Sequence, residues 1–271
     1  MIVQSPDPDA GTEGARFVTK NVEHGVLVGQ LADCFGNSEF NAPEPRAEIL
    51  YLAVHHDHGW QAIDDDPPVN PGDGLPYNLV KTPFEFILKT STGSPDFNER
   101  HSAFCGLLSS MHTYGLYNGR YGLSDAVTMD AAPQEIKTDI DAMLKQEQLR
   151  QQRLRSALSE SALSDEAIIF NAYKLLQFFD ACALYFNRNP PGRRGTSYFH
   201  HVARAVDEDV TVYVTEAEPD VYAFNPFPFR ESGLQVFCEG RYLRPDSGIK
   251  NGAKLMQSAP RERQTMTLVR G

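Results

Sequence analysis

His56 and Asp57 stand side by side in the string His55-His56-Asp57-His58-Gly59-Trp60. A neutral imidazole and a carboxylate are both good ligands for a first-row metal ion, and adjacent ones can reach a single ion near a helix end. Three further ionisable residues fall on apolar helical stripes, as His56 itself does. His24 precedes Leu27, Val28 and Leu31 at offsets of three, four and seven, and His56 follows Ile49, Leu52 and Ala53 at seven, four and three. His112 lies four residues from both Leu108 and Leu116. Asp180 follows Leu176 by four and precedes Ala183 and Leu184 by three and four. An apolar stripe faces the core, so four ionisable side chains on four helices are expected to point inward, with Asp57 beside one of them. Burying a carboxylate without a partner is costly or forces it to protonate. One or two shared divalent transition-metal ions would resolve all five groups, and Fe, Mn, Zn, Ni and Co each accept this mixture of nitrogen and oxygen donors. Asp180 is the hardest to explain otherwise. Without an ion it is expected to be repelled by Asp57 and to have a raised pKa.

Other residues offer weaker chemistry. His55 and His58 are three apart and could carry protons or form a second ligand pair, although a surface turn explains them equally well. Tyr114, Tyr117 and Arg120 could contact substrate, against the plainer reading of core edge and surface charge. Asp64, Asp65 and Asp66 could hold a hard cation. Gly192-Arg193-Arg194-Gly195, followed by His200-His201, could bind phosphate. Asn225-Pro226-Phe227-Pro228-Phe229 reads as a rigid apolar plug.

The elements that must position these residues can be read from periodicity. After a loose or strand-like lead-in over residues 1–20, helices are expected from Glu23 and from Pro45 to about Gly59-Trp60, then over about 83–91, 102–117, 133–159 and 164–187. A long loop separates the second helix from the third. Val210, Val212 and Val214 alternate with polar residues, and 221–224, 234–243 and 265–269 read as further strands. The expected architecture is a mainly α body over 1–189 with a small β-rich part over 190–271, packed as one unit. The apolar run Ala167–Phe186 has membrane-spanning length but contains Asn171, Lys174, Gln177 and Asp180, so a buried helix is expected.

The chain has 271 residues and a net charge of −11. So acidic a protein is a poor candidate for wrapping nucleic acid. Charge is uneven: residues 1–66 hold 12 acidic and 3 basic side chains, and residues 241–271 hold 7 basic and 2 acidic. The two ends could therefore attract each other. The four cysteines are scattered and no secretory leader is visible, which suits a reducing cytoplasm.

A His, a later His-Asp pair and a distant Asp resemble the signature of the HD-domain superfamily of metal-dependent enzymes, mostly phosphohydrolases. His56-Asp57-His58-Gly59 resembles its His-Asp-x-Gly turn, with Trp60 where Lys is usual. His24 and Asp180 resemble the first and last ligands, and His112 is an addition. The strings EHGVLVGQLA, HHDHGW, LLSSMHTYGLY, LLQFFDACALYF and NPFPF resemble an uncharacterised bacterial family of unknown function over nearly the whole chain. The resemblance implies an HD-like helical bundle and hydrolysis of a small, phosphorylated molecule, without nucleic-acid or membrane partners. A di-iron oxygenase and a non-catalytic metal-stabilised binding or sensor protein are the alternatives.

Overall fold

A computed structural model of the chain describes residues 1–7, 9, 14–125 and 132–271. The middle of the lead-in expected over residues 1–20 lies outside the described residues. In chain order the elements are β1 (Ile2–Val3), β2 (Arg16–Thr19), α1 (Asn21–Cys34), α2 (Arg46–His55), α3 (Gln61–Asp65), α4 (Phe84–Glu99), α5 (Ala103–Tyr117), α6 (Lys137–Leu158) and α7 (Glu166–Arg188). They continue with β3 (Thr196–Ala205), β4 (Glu208–Glu218), β5 (Val221–Asn225), β6 (Leu234–Leu243), α8 (Gly252–Gln257) and β7 (Glu262–Arg270). Local signals set several boundaries. The Asp165 carboxylate accepts from the N–H of Ala167 at 2.9 Å and starts α7, and Ser102 Oγ accepts from Cys105 N–H at 3.1 Å and starts α5.

The strands form one seven-stranded mixed sheet in the order β1-β2-β6-β7-β5-β4-β3. Among the described strands only the β5–β7 pair is parallel. This corrects the expectation of a mainly α, HD-like helical bundle with an all-α core. The fold is α+β. β2, from the N-terminal side of the helices, pairs with β6 from their C-terminal side, with Phe17 opposite Tyr242. The helices pack on a sheet that the chain completes from both ends, so its burial needs are not met by helix-on-helix contacts alone. The main core cluster accordingly runs from Phe17 to Leu268 and draws on α1, α2, α5, α7 and most of the strands.

β3 escaped the periodicity reading because its alternation is interrupted. Pairing with β4 shifts register between Phe199 and Val202, and His201 within that interval has φ +56°. A bulge of this kind turns neighbouring side chains out of strict alternation.

Two contacts seat the helices that carry the histidines. Gln30 of α1 acts like a strand residue towards β6: its Nε2 donates to Phe237 C=O at 2.9 Å and its Oε1 accepts from Phe237 N–H at 3.1 Å. α1 and α2 approach through glycine. A Cβ at Gly25 would lie 2.2 Å from Val54 O, and one at Gly29 would lie 2.4 Å from Val54 Cγ2. α7 is the one helix, among the described residues, long and apolar enough to cross a membrane, and 67% of its apolar window is buried inside the fold.

The charged ends meet. Arg261 pairs with Glu23 at 2.5 Å and Arg270 with Glu39 at 3.5 Å. The three aspartates after α2 have structural partners: Asp64 is buried and accepts from Asn21 Nδ2 and Val22 N–H at the start of α1, both at 3.0 Å, while Asp65 pairs with Lys20 and Asp66 accepts from Ala253 N–H. In the Gly192–Gly195 loop, Arg194 is buried against Tyr222, Gln264 and the Asn189 carbonyl. Phe227 and Phe229 of the proline-rich string are buried, as a plug requires.

Candidate metal centre

His24 from α1, His56 and Asp57 from the end of α2, His112 from α5 and Asp180 from α7 converge. Ligand atoms of His24, His56 and Asp180 all lie within 4.8 Å of one another, and so do those of His56, Asp57 and His112. His24 is 0% exposed, His56 1%, and His112 and Asp180 5% each, whereas the Asp57 side chain is 18% exposed. Asp57 is therefore the member that meets solvent.

The outer nitrogens of the three rings are already engaged. Asn187 Oδ1, from the last turn of α7, lies 2.8 Å from His24 Nδ1 and accepts its proton. The Ala53 carbonyl accepts from His56 Nδ1 at 3.0 Å. These bonds leave Nε2 of each ring pointing inward. His56 Nε2 is buried with no hydrogen-bond partner. Gln177, one turn before Asp180, places its amide nitrogen 3.0 Å from His112 Nδ1, and its Oε1 is a buried atom without a partner. A half-turn of that amide brings Oε1 to accept from Nδ1–H and leaves Nε2 of His112 bare as well. Outer partners that fix ring orientation in this way are the usual company of metal-binding histidines.

The spacing fits an ion. Metal–donor bonds of about 2.1 Å put neighbouring donors about 3.0 to 3.4 Å apart in octahedral or tetrahedral geometry. The observed separations are 3.2 Å for His24 Nε2 to Asp180 Oδ1, 3.6 Å for His56 Nε2 to Asp57 Oδ2 and 3.8 Å for His56 Nε2 to Asp180 Oδ1. Three neutral imidazoles and two carboxylates also balance a divalent charge. His56 belongs to both triads and has only one nitrogen to offer, so the two triads share that ligand atom.

Without an ion, protons take its place. Burial acts to raise the Asp180 pKa, but the hydrogen bond from His24 and the charges of His56 and His112 outweigh it and hold the carboxyl well below the ordinary range. Burial likewise acts to lower the His24 pKa, yet its bond to Asp180 leaves it raised. The expectation that a metal-free Asp180 has a raised pKa is thus corrected: His24 supplies the cation that was missing from that argument. Burial drives the His112 pKa down to about 4, which keeps that ring neutral.

The remaining candidates sit elsewhere. His55 and His58 face α4, not the five-residue cluster. His58 stacks on Phe97 at 3.4 Å, and His55 contacts Tyr51 and Phe97. Burial lowers both pKa values. Tyr117 is a core residue bonded to Ser91, and Tyr114 accepts from Gln148 at the surface. Arg120 does approach the centre, close enough for its charge to depress the His112 pKa further. It lies in the turn Gly119-Arg120-Tyr121-Gly122, where φ is +61°, +52°, +57° and +88°. A left-handed turn costs about 1 kcal/mol or more at each non-glycine residue. Such strain persists where surrounding contacts require it, and here Tyr121 donates to Gln151 at 3.1 Å.

Sequence reasoning missed the outer partners Asn187 and Gln177. A signal existed: Gln177 precedes Asp180 by three and Asn187 follows it by seven, both on the same side of α7. It also missed a second group, Glu48, His101 and Cys105, in which Glu48 Oε2 accepts from Cys105 Sγ at 3.0 Å and from Ser102 Oγ at 2.7 Å.

No curated protein and no solved structure is significantly similar to the chain. A family model does match, over residues 9–245, and the chain therefore belongs to DUF3891, described as a protein of unknown function.

Proposed function

We propose that the protein is a metal-dependent hydrolase of a small phosphoester, built around one divalent transition-metal ion held by His24, His56, Asp57, His112 and Asp180. The observation that carries this reading is the orphaned, inward-facing Nε2 of His56 amid two carboxylates and two further oriented imidazoles. The reading stands on these donors and not on an HD bundle, which the fold lacks. A bound ion in such a site lowers the pKa of a water and neutralises phosphoryl oxygens. Asn187, the Ala53 carbonyl and Gln177 hold the rings in the ligand tautomer, and Asp57 marks the side on which water and substrate arrive. Nothing in this reading calls for nucleic acid or membrane, and four free, buried cysteines suit a reducing cytoplasm.

A second reading, a non-catalytic metal-stabilised protein, is favoured by the near-complete burial of four of the five groups. The two separate experimentally. Hydrolysis of p-nitrophenyl phosphate that requires Mn, Fe, Co, Ni or Zn and disappears in Asp57→Asn supports the hydrolase. Bound metal that raises the melting temperature without any turnover across a phosphoester panel supports the second reading.

A further inference from the structure

A cavity of ≈170 Å³ lies between α7, the left-handed turn and the bulge of β3. Four basic side chains line it, Arg120, Lys174, His200 and His201, and among the described residues no carboxylate does. That is notable in a chain of net charge −11. The backbone is bent to achieve it. Arg120, in the turn, sits at φ +52° and His201, in the bulge, at φ +56°. Each histidine has Nδ1 engaged, His200 with Thr211 Oγ1 at 2.9 Å and His201 with Asp209 at 3.5 Å, so Nε2 is the nitrogen on offer. Asp209 also takes Lys174 at 3.1 Å. Among the described residues no ion pair involves Arg120, whereas Lys174 and His201 both face Asp209. Phe178 and Tyr198 add apolar surface to the same walls. Gln177 lines the cavity too, and its amide is the group that touches His112 of the five-residue centre.

We propose that this cavity is a phosphate-binding subsite that takes the phosphoryl end of a phosphomonoester bearing an apolar group. It goes beyond the hydrolase reading and does not rest on it: Gln177 and His112 stand between the cavity and the position the five donors surround, so the bound phosphoryl group is not the one an ion there would act on. Arg120 provides a two-pronged donor, Lys174 and the two histidines converge from the other walls, and a tetrahedral anion with several acceptor oxygens matches donors arriving from several directions. Gln177 joins the subsite to the centre.

The test is titration calorimetry of the full chain with inorganic phosphate and with phenyl phosphate, as purified and again after chelation. Phenyl phosphate is expected to bind in both states, and more tightly than inorganic phosphate. Arg120→Gly, which removes the charge while relieving the left-handed strain, is expected to weaken it about tenfold or more. His200→Ala, at an exposed position, is expected to weaken it by a smaller factor, and Arg244→Ala, an exposed arginine outside the cavity, to leave it unchanged. Unaltered binding in Arg120→Gly and His200→Ala overturns the proposal, as does an equal loss in Arg244→Ala or binding that vanishes on chelation. Persistent binding to a chain that never takes up metal would sink the hydrolase reading and leave the subsite standing. A metal-loaded chain without phosphate binding would do the reverse.

Discussion

Asp180 and His24 form a buried pair 3.2 Å apart whose charge state governs how the metal-free protein responds to pH. The raised His24 pKa means that the folded state holds this proton more tightly than the unfolded chain, where histidine titrates near about 6.5. Its stabilising contribution is full below that value and is lost as pH rises through the folded-state pKa. The depressed His112 value of about 4 acts oppositely, but only below about pH 6.5, where the unfolded chain would gain a proton. Above neutrality His24 acts to lower stability as pH rises, while the buried Met1 amino group, whose pKa burial lowers, acts the other way; the part of the chelated protein's change between pH 7 and pH 8.5 that depends on Asp180 should therefore be a fall in melting temperature. Metal competes with that same proton, so the stabilisation conferred by metal should grow over the same interval. Asp180→Asn removes the partner. Melting curves of the chelated variant should lose most of this pH dependence, start from a stability lower by about 1–3 kcal/mol at pH 7, and gain little from added metal. A variant with wild-type metal content would take Asp180 out of the ligand set.

At the level of elements, the site depends on how closely α1 and α2 pack, because they carry His24 and the His56-Asp57 pair. Gly25 faces the Val54 carbonyl so tightly that a methyl group cannot be inserted without separating the helices. Gly25→Ala should cost about 1–3 kcal/mol by overpacking and lower metal occupancy measurably, although residue 25 is not a ligand. Urea denaturation and metal analysis on the same preparation check both. These helices were legible because three- and four-residue spacing identifies an inward face, and the same rule expects the buried placement that His24, His56, His112 and Asp180 have. It could not place His55, His58 and Tyr117, since one helix has several half-buried faces and periodicity does not say which neighbour each meets. Arg120 was legible only as a possible substrate contact or a surface charge, because the left-handed turn that holds it depends on tertiary contacts.

At the level of the whole molecule, the sheet was the least legible part. β4 to β7 follow from alternation, whereas β1 and β2 are two and four residues long and acquire their identity only by pairing with each other and with β6. Strands this short carry too little pattern to be recognised locally, and that is why a helical bundle with a small C-terminal β part was expected in place of one seven-stranded sheet built from both ends of the chain. The same pairing predicts that residues 190–271 do not fold alone. Their sheet would lack β2 beside β6 and the cover of α1 and α7, and Phe199, Val212, Val214 and Phe224, now in the main core cluster, would face water. A fragment of these residues should show no cooperative thermal transition by circular dichroism. A soluble fragment with a sharp transition would contradict this.

The same α1, α2, α5 and α7 packing is what brings the five donors together, so the central claim reduces to whether an ion occupies the position they surround. Elemental analysis of the full chain, purified without chelator, tests it most directly when the His56→Ala/Asp57→Ala double variant is measured alongside. Roughly one equivalent of a divalent transition metal is expected in the wild type, and its loss in the variant. A metal-free wild type, or a double variant that keeps its full metal content, would contradict it.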